Sequence, residues 1–445
     1  MKIIIAGSGE VGSHLAKLLS YESQEITLID SNDEKLSFPN SQLDIKVVQG
    51  DCTSISTLKK SNIPDSDLFV GVTASESVNI LACFLASQLG AKKTIARISN
   101  PELIKENDLD FENLGISELI SPEILTSKEI NMVINRAEFT DPFEFDDGAL
   151  ITLGLSATHT SKFVGKTVVE SAKIFPETHF FPISLKRGEK TIIPRGDTIF
   201  KNGDHIVFMT EPGGEEELLN ISGQNNDAIK NVMVLGGGRV GKKVAEDLAN
   251  DEINVKLVEI NKDRAEELAE DLNDCLIIHG DGTNSDLLEE EQVDQMDAFI
   301  AVTGDSETNI MSSLIANTKG IEKTIALVDN LDYYKLTQIS GIDTLINKKL
   351  LAADAISKHV HKAEVIAISQ LDNMDAELLE FVVNEDSKIC NKVVRDLNFP
   401  RSAIIAGVIR EGKGNIVLGD FKILNHDRIV VCCLKDSINK VEKLF

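Results

Sequence analysis

The sequence predicts an α/β chain: two Rossmann-like, doubly wound parallel sheets, each followed by a small α+β domain. Three observations carry that reading. Residues 2–13, KIIIAGSGEVGS, return as residues 231–242, NVMVLGGGRVGK, and each copy is a short apolar run feeding into G-x-G-x-x-G. The echo continues at a nearly constant offset. Gly50-Asp51-Cys52-Thr53 returns as Gly280-Asp281-Gly282-Thr283, Val72-Thr73 as Val302-Thr303, Asn79 as Asn309, and Thr94-Ile95-Ala96 as Thr324-Ile325-Ala326. Each second strand ends at an acid, Asp30 or Glu259. A single glycine motif is a weak signal, but two, each after a strand and each followed by an acid, mark two mononucleotide or dinucleotide sites.

The elements follow in order. Lys2–Ala6 reads as a buried strand and Val11–Leu19 as a helix that starts inside the glycine loop. Glu25–Ile29, Ile45–Val48, Leu68–Val72, Thr94–Ile98 and Ile116–Ile120 read as further strands, with Val78–Leu89 as a helix. Ser121-Pro122 opens another helix, Ser as N-cap and Pro at the first position, running to about Ala137. Strands alternating with helices imply a parallel sheet covered on both faces. Glu138 to Asp147 is acidic and Phe-rich and reads as a connector. Short strands and turns follow at Ala149–Leu155, Phe180–Leu185, Thr191–Ile193 and His205–Met209, with a helix around Val164–Ile174. Pro212–Asn226, rich in Gly, Glu and Asn, reads as a linker.

The second half repeats the plan. Val232–Lys362 is another sheet-and-helix unit. Leu378–Val383, Ala403–Ile409, Asn415–Leu418 and Arg428–Leu434, with a helix near Asn391–Leu397, form another small one. Asn425-His426-Asp427 matches the turn Asn202-Gly203-Asp204. The order is A-B-A′-B′, with expected boundaries at residues 1–138, 139–222, 229–362 and 363–445.

Composition narrows the function. The 445 residues carry a net charge of −27, which argues against nucleic-acid binding and against docking on an anionic lipid surface. The six cysteines show no C-x-x-C and no disulfide framework, so free, mostly buried thiols are expected. The longest nearly apolar stretch, Val78 to Ala91, is too short for a bilayer, which takes about 20 residues. A chain that does not insert into the membrane is therefore expected.

In the first site Gly7 permits the tight turn, Gly9 lets a phosphate approach the backbone, and Gly12 lets the helix pack closely on the strand. Ser8, Glu10 and Val11 complete the loop, whose free N–H groups at the helix start attract phosphate. Asp30 is placed to accept hydrogen bonds from ribose hydroxyls and repels a 2′-phosphate, which favours NAD or ADP-ribose-like ligands over NADP. Gly236, Gly237, Gly238, Arg239, Val240, Gly241 and Glu259 form the second set. Asp51, Cys52 and Thr53, and Asp281 and Gly282, close the third strands, where either contact with an adenine edge or a plain Asp turn accounts for them. Thr73 and Thr303 end the fourth strands.

The charges differ between the copies. The first loop carries Glu10 where the second carries Arg239, and the fifth strand carries Arg97 where the second copy has Leu327. Either each site receives one phosphate-facing arginine, from a different element, and two ligand preferences are expected, or Arg97 and Arg239 are plain solvated surface charges. No catalytic constellation is legible. Tyr21, Tyr333 and Tyr334 lack a Lys four residues on, His359-Val360-His361 offers no third metal ligand, and Cys432-Cys433 sits in an apolar strand.

The whole chain resembles tandem RCK domains, each a KTN plus a TrkA-C domain, the cytosolic regulators of potassium channels and transporters. The carriers are KIIIAGSGEVGSHLAKLL with LID at Asp30, GDCTS at Asp51, GDGTN at Asp281 and the ISPE helix at Ser121. The resemblance implies a non-catalytic regulator that binds NAD(H) and ATP or ADP. It implies a homo-oligomeric ring of RCK domains beneath a Trk-type potassium transporter membrane subunit. It places that ring in the cytoplasm, peripheral to the cell membrane through the transporter. It also implies that the helices near Ser121–Ala137 and Asn347–His361 pair domains, through residues such as Ile130, Val133 and Ile134. Glu10 and Leu327 depart from a phosphate-binding pattern. An NAD-dependent oxidoreductase, or a nucleotide sensor acting on another cation channel or transporter, is the alternative.

Overall fold

The computed structural model describes residues 1–20, 24–100, 102–105, 110–146, 148–174, 179–223, 229–321, 323–330, 333, 341–357, 359, 365–371 and 374–445. The chain divides into two units, one made of Met1–Asn135 with Ile229–Val360 and the other of Arg136–Ala228 with His361–Phe445. Like is grouped with like: the two glycine-motif halves form one unit and the two small copies the other.

The first unit contains two six-stranded parallel sheets, each with its strands in the order 3-2-1-4-5-6. In the first copy these are Lys2–Ala6, Glu25–Asp30, Lys46–Gln49, Leu68–Gly71, Thr94–Arg97 and Glu118–Ile120. In the second they are Asn231–Leu235, Asn254–Glu259, Cys275–His279, Ala298–Ala301, Lys323–Leu327 and Thr344–Ile346. The central strands are near-continuous Ile, Val, Leu and Ala runs because both of their faces are covered. The strand order reverses beside the first strand, which opens a crevice at the carboxyl ends where such sheets take ligands. Glu10–Ser20 and Arg239–Asn250 are the helices that leave the glycine loops.

The two halves exchange helices. Pro122–Asn135 follows the first sheet, yet its Ile130, Val133 and Ile134 are buried with Val232, Val244 and Leu248 of the second. Lys348–Ser357 follows the second sheet, yet its Ala352, Ala353 and Ile356 are buried with Ile3, Leu15 and Leu19 of the first. Polar contacts fix the register: Ser127 Oγ and Asn131 Nδ2 donate to Asp247 at 3.1 and 2.9 Å. His359 Nδ1 accepts from Lys93 Nζ at 3.0 Å while its Nε2 lies 2.8 Å from Glu118. Each fully buried Ile or Val is worth about 1.5–3 kcal/mol, so each half depends on the other to close its core. His359 is thus a bridging side chain; Val360 and His361 lie outside the described residues.

The second unit holds two five-stranded antiparallel sheets of the same topology. The first is built from Thr140–Phe145, Leu150–Ser156, Phe180–Arg187, Lys190–Ile192 and His205–Thr210, the second from Val365–Gln370, Ala376–Val382, Ala403–Arg410, Lys413–Asn415 and Arg428–Leu434. The matched turns owe their repetition to an ion pair. Arg187 Nε and Nη2 grip the buried Asp204 at 2.7 and 2.6 Å, and Arg410 grips the buried Asp427 at 2.7 and 2.8 Å. His426 (φ +66°) takes the left-handed conformation of Gly203 (φ +81°).

Three expectations need correction. Glu138–Asp147 is no connector: Thr140–Phe145 pairs as an edge strand, its phenylalanines giving it a buried anchor in Phe145. Pro212–Asn226 contains a helix, Gly214–Ser222, because Leu218, Leu219 and Ile221 are buried and outweigh the linker-like composition. Near Asn391–Leu397 only a 3₁₀ turn forms, Val394–Asp396, entered through the extended Val393.

Candidate functional site

The two glycine loops are backbone copies. Gly7 (φ +113°) and Gly236 (φ +105°) adopt a conformation that side-chain-bearing residues avoid. A Cβ on Gly12 or Gly241 would lie 1.8 Å from the carbonyl oxygen of Gly7 or Gly236, so the strand and helix close only without one. A Cβ on Gly9 or Gly238 would meet nothing within 4 Å, which leaves open the approach a phosphate needs. Val11 and Val240 are buried beneath the loops, while Glu10 and Arg239, at the helix starts, are exposed.

The acids at the second-strand ends are held identically. Asp30 accepts from Ser8 N at 2.7 Å and Asn32 N at 2.8 Å; Glu259 accepts from Gly237 N at 2.7 Å and Asn261 N at 2.8 Å. A Cβ on Gly237 would sit 2.3 Å from a Leu268 methyl and 2.9 Å from Glu259 Oε2, so the loop has room only for glycine at this point. Both carboxylates are thereby anchored at the crevice with lone pairs left for hydroxyl donors.

Asp51 Oδ1 accepts from Thr53 N and Oγ1 at 2.8 and 2.7 Å, and Asp281 Oδ1 from Thr283 N and Oγ1 at 2.9 and 2.8 Å. These bonds hold both carboxyls below the usual carboxylate range. The turn geometry accounts for those oxygens; Asp51 also lines the crevice. Cys52 beneath it is inert: burial, with Asp51 and Asp30 adding to it, pushes its thiol up to about 11. Gly282 packs against Leu235, whose methyl would lie 2.1 Å from an added Cβ.

Thr73 and Thr303 are positioned by buried asparagines that the motif reading had not placed in the site. Asn79 Oδ1 accepts from Thr73 N and Oγ1 at 2.8 and 2.6 Å, and its Nδ2 donates to Arg97 O at 2.8 Å. Asn309 makes the same bonds to Thr303 and to Leu327 O at 2.9, 2.7 and 2.8 Å. Their recurrence at the same offset was the legible signal.

Gly7, Gly9, Glu10, Val11, Asp30, Asp51, Cys52, Thr73 and Arg97 together line a cavity of about 610 Å³ at the first loop. That volume falls in the range of small-molecule and cofactor sites. Lys35 also lines it, as do Lys348 and Lys349, which come from the second half and which motif reading missed. Arg97 Nε is buried without a hydrogen-bond partner among the described residues. In the second site Arg264 Nε donates to Gly237 O at 3.0 Å. Glu76 is held below the usual range chiefly by the backbone N–H groups of Ser99 and Asn100, and also by the Arg239 charge. Among the described residues no group of His, Cys, Asp and Glu is arranged to hold a metal ion.

Two Rossmann-like units alternate along the chain with two small antiparallel domains, the domain plan of tandem RCK proteins. The family models agree. The TrkA-N domain matches residues 3–122 and 232–348, and the TrkA-C domain residues 155–223 and 378–445. The chain belongs to the TrkA family. It is 32% identical to "Trk system potassium uptake protein TrkA homolog 2" of Methanosarcina mazei, covering 100% of both chains. It is 33% identical to "Trk system potassium uptake protein TrkA" of Haemophilus influenzae, covering 100% of this chain and 98% of that one.

Among solved structures, the GsuK RCK domain aligns over 100% of this chain and 94% of its own with a TM-score of 0.61 at 16% identity. The GsuK channel bound to NAD aligns over 100% and 78% with a TM-score of 0.61 at 16% identity. GsuK bound to ADP aligns over 81% and 69% with a TM-score of 0.50 at 14% identity. At these identities the likeness is one of fold.

Proposed function

We propose that this chain is a cytosolic nucleotide-binding regulatory subunit that gates a Trk-type membrane potassium transporter. The single observation that carries the reading is the duplicated crevice, two glycine loops with identically anchored acids. The named relatives are potassium uptake proteins, and no described helix is long and apolar enough to cross a membrane; the pore is assigned to a membrane partner. Chains assemble into a homo-oligomeric ring of RCK domains held at the inner face of the membrane by the transporter. The chain is organised as four domains, residues 1–138, 139–222, 229–362 and 363–445.

The ligands are NAD(H) and ATP or ADP, an assignment supported by the GsuK structures described as bound to NAD and to ADP. Loop N–H groups take the phosphates, while Asp30 and Glu259 take the ribose hydroxyls. Gating requires only that one ring shape binds a nucleotide more tightly than the other. No hydride transfer is involved.

Calorimetric titration of the full chain with NADH, NAD, ATP and ADP tests this. Saturable binding is expected, lost at one site in Asp30→Ala and at the other in Glu259→Ala, with NADH absorbance constant over hours. Absence of binding by all four nucleotides, or steady NADH consumption, overturns it.

A further inference from the structure

The cavity at the first glycine loop is not built by the first half alone. Its lining holds three carboxylates, Glu10, Asp30 and Asp51. Among the described residues of the first half, the lining adds two cations, Lys35 and Arg97, to face them, a poor balance for a polyphosphate. Lys348 and Lys349 from the second half bring the lining to four cations.

Their position is unfavourable for stability. They open the helix Lys348–Ser357, where the macrodipole disfavours cations. At the matching start of Pro122–Asn135 the chain carries Pro122 and Glu123, both suited to a helix N-terminus. Asn347 caps the helix, its Oδ1 accepting from Lys349 N and Leu350 N at 3.0 Å each, so the lysine side chains are not needed as caps. Lys349 Nζ is ion-paired with Glu10, and Lys348 Nζ lies 3.4 Å from Asp329 Oδ2, which Lys349 shares at 3.8 Å. Burial lowers the pKa of Lys349, a burial that a further anion in the cavity would compensate. Arg97 Nε, without a partner among the described residues, belongs to the same cavity.

We propose that Lys348 and Lys349 form, with Arg97, the phosphate-chain subsite of the first nucleotide site, and that Glu10 is an internal anion occupying Lys349 until the nucleotide displaces it. The proposal rests on the nucleotide reading of that site. The ligand class is a nucleotide with two or more phosphates, a nucleoside di- or triphosphate or a dinucleotide. Because the lysines belong to the other half, ligand and half-to-half packing strengthen each other. Glu10, unfavourable to phosphate when the loop is read alone, becomes the competitor that sets the affinity threshold.

The test is calorimetry of the full chain in a Glu259→Ala background, titrated with AMP, ADP and ATP. Charge-assisted bonds of this kind are worth enough to expect about a tenfold or larger loss of ATP affinity in Lys348→Gln/Lys349→Gln. That loss should shrink from ATP to AMP. Glu10→Gln should bind ATP several-fold more tightly, a gain that a misfolded variant cannot produce. A uniform loss across the three nucleotides, unchanged ATP affinity in the lysine variant, or weaker binding in Glu10→Gln overturns the proposal. If the Glu259→Ala chain binds no nucleotide, the underlying reading fails with it; binding that ignores the lysines fails this proposal alone.

Discussion

The two glycine-loop sites share a backbone and differ in where their cations come from. In the first, Ser8 and Asp30 fit together, Arg97 stands at the fifth strand, and Glu10 is matched by Lys349 from the other half. In the second, the Gly237 N–H is bound by the longer Glu259, Leu327 replaces Arg97, and Arg239 stands at the end of the loop itself. Duplication preserved what the fold requires, the turn, the close helix approach and the anchored acid. It released what only a ligand requires, the sign and source of charge.

The largest effect that probes the shared part comes from Gly12→Ala against Gly241→Ala. Each places a methyl against a carbonyl that cannot retreat, so each should lower stability by about 1–3 kcal/mol in thermal or denaturant unfolding and abolish nucleotide binding at its own site only. Equal loss at both sites would show the halves to be more tightly coupled than their exchanged helices imply.

Asn79→Ala and Asn309→Ala sharpen the difference. Either leaves a loop amide and a strand carbonyl without their partner, at a cost of about 2 kcal/mol in unfolding measurements. Only Asn79→Ala should also weaken nucleotide binding through a displaced cation, since the carbonyl it holds is that of Arg97, whereas Asn309 holds Leu327. Matching affinity losses in the two variants would remove Arg97 from the phosphate side of the site.

The smallest effect concerns the Asp51 and Asp281 turns. Bonds from Thr53 and Thr283 depress both carboxyl pKa values, so their stabilising contribution is complete above the ordinary value of 3.8 and disappears as pH falls through the lower folded-state value. The stability gap between wild type and Asp51→Asn, followed by acid unfolding, should therefore be present at pH 6 and close below 3.8. A gap that persists at low pH would assign Asp51 a role other than its ionised turn.

Much of this was legible because the signals are local. The twin loops, Asp30 and Glu259, the Asp51 and Asp281 turns and the apolar strand runs all follow from backbone geometry and periodicity within a few residues. Thr140–Phe145 escaped because an edge strand with acidic residues looks like a connector until its neighbour is known. Gly214–Ser222 escaped because its helix depends on burying Leu218 and Leu219 rather than on propensity. Lys348 and Lys349 escaped because the loop they face lies more than three hundred residues away; the one local trace was a helix opening on two cations.

The sequence by itself determined a doubled chain with two nucleotide crevices and an acid at each, since G-x-G-x-x-G after a strand constrains only neighbouring backbone. Tertiary structure alone decided that the halves trade helices, so that Ile130 completes the second core and Ile356 the first, and that the second half lends its lysines to the first site. Packing of an amphipathic helix says that it must be covered, not by which of two equivalent sheets. That choice is made by the shapes and charges that meet when both halves are folded.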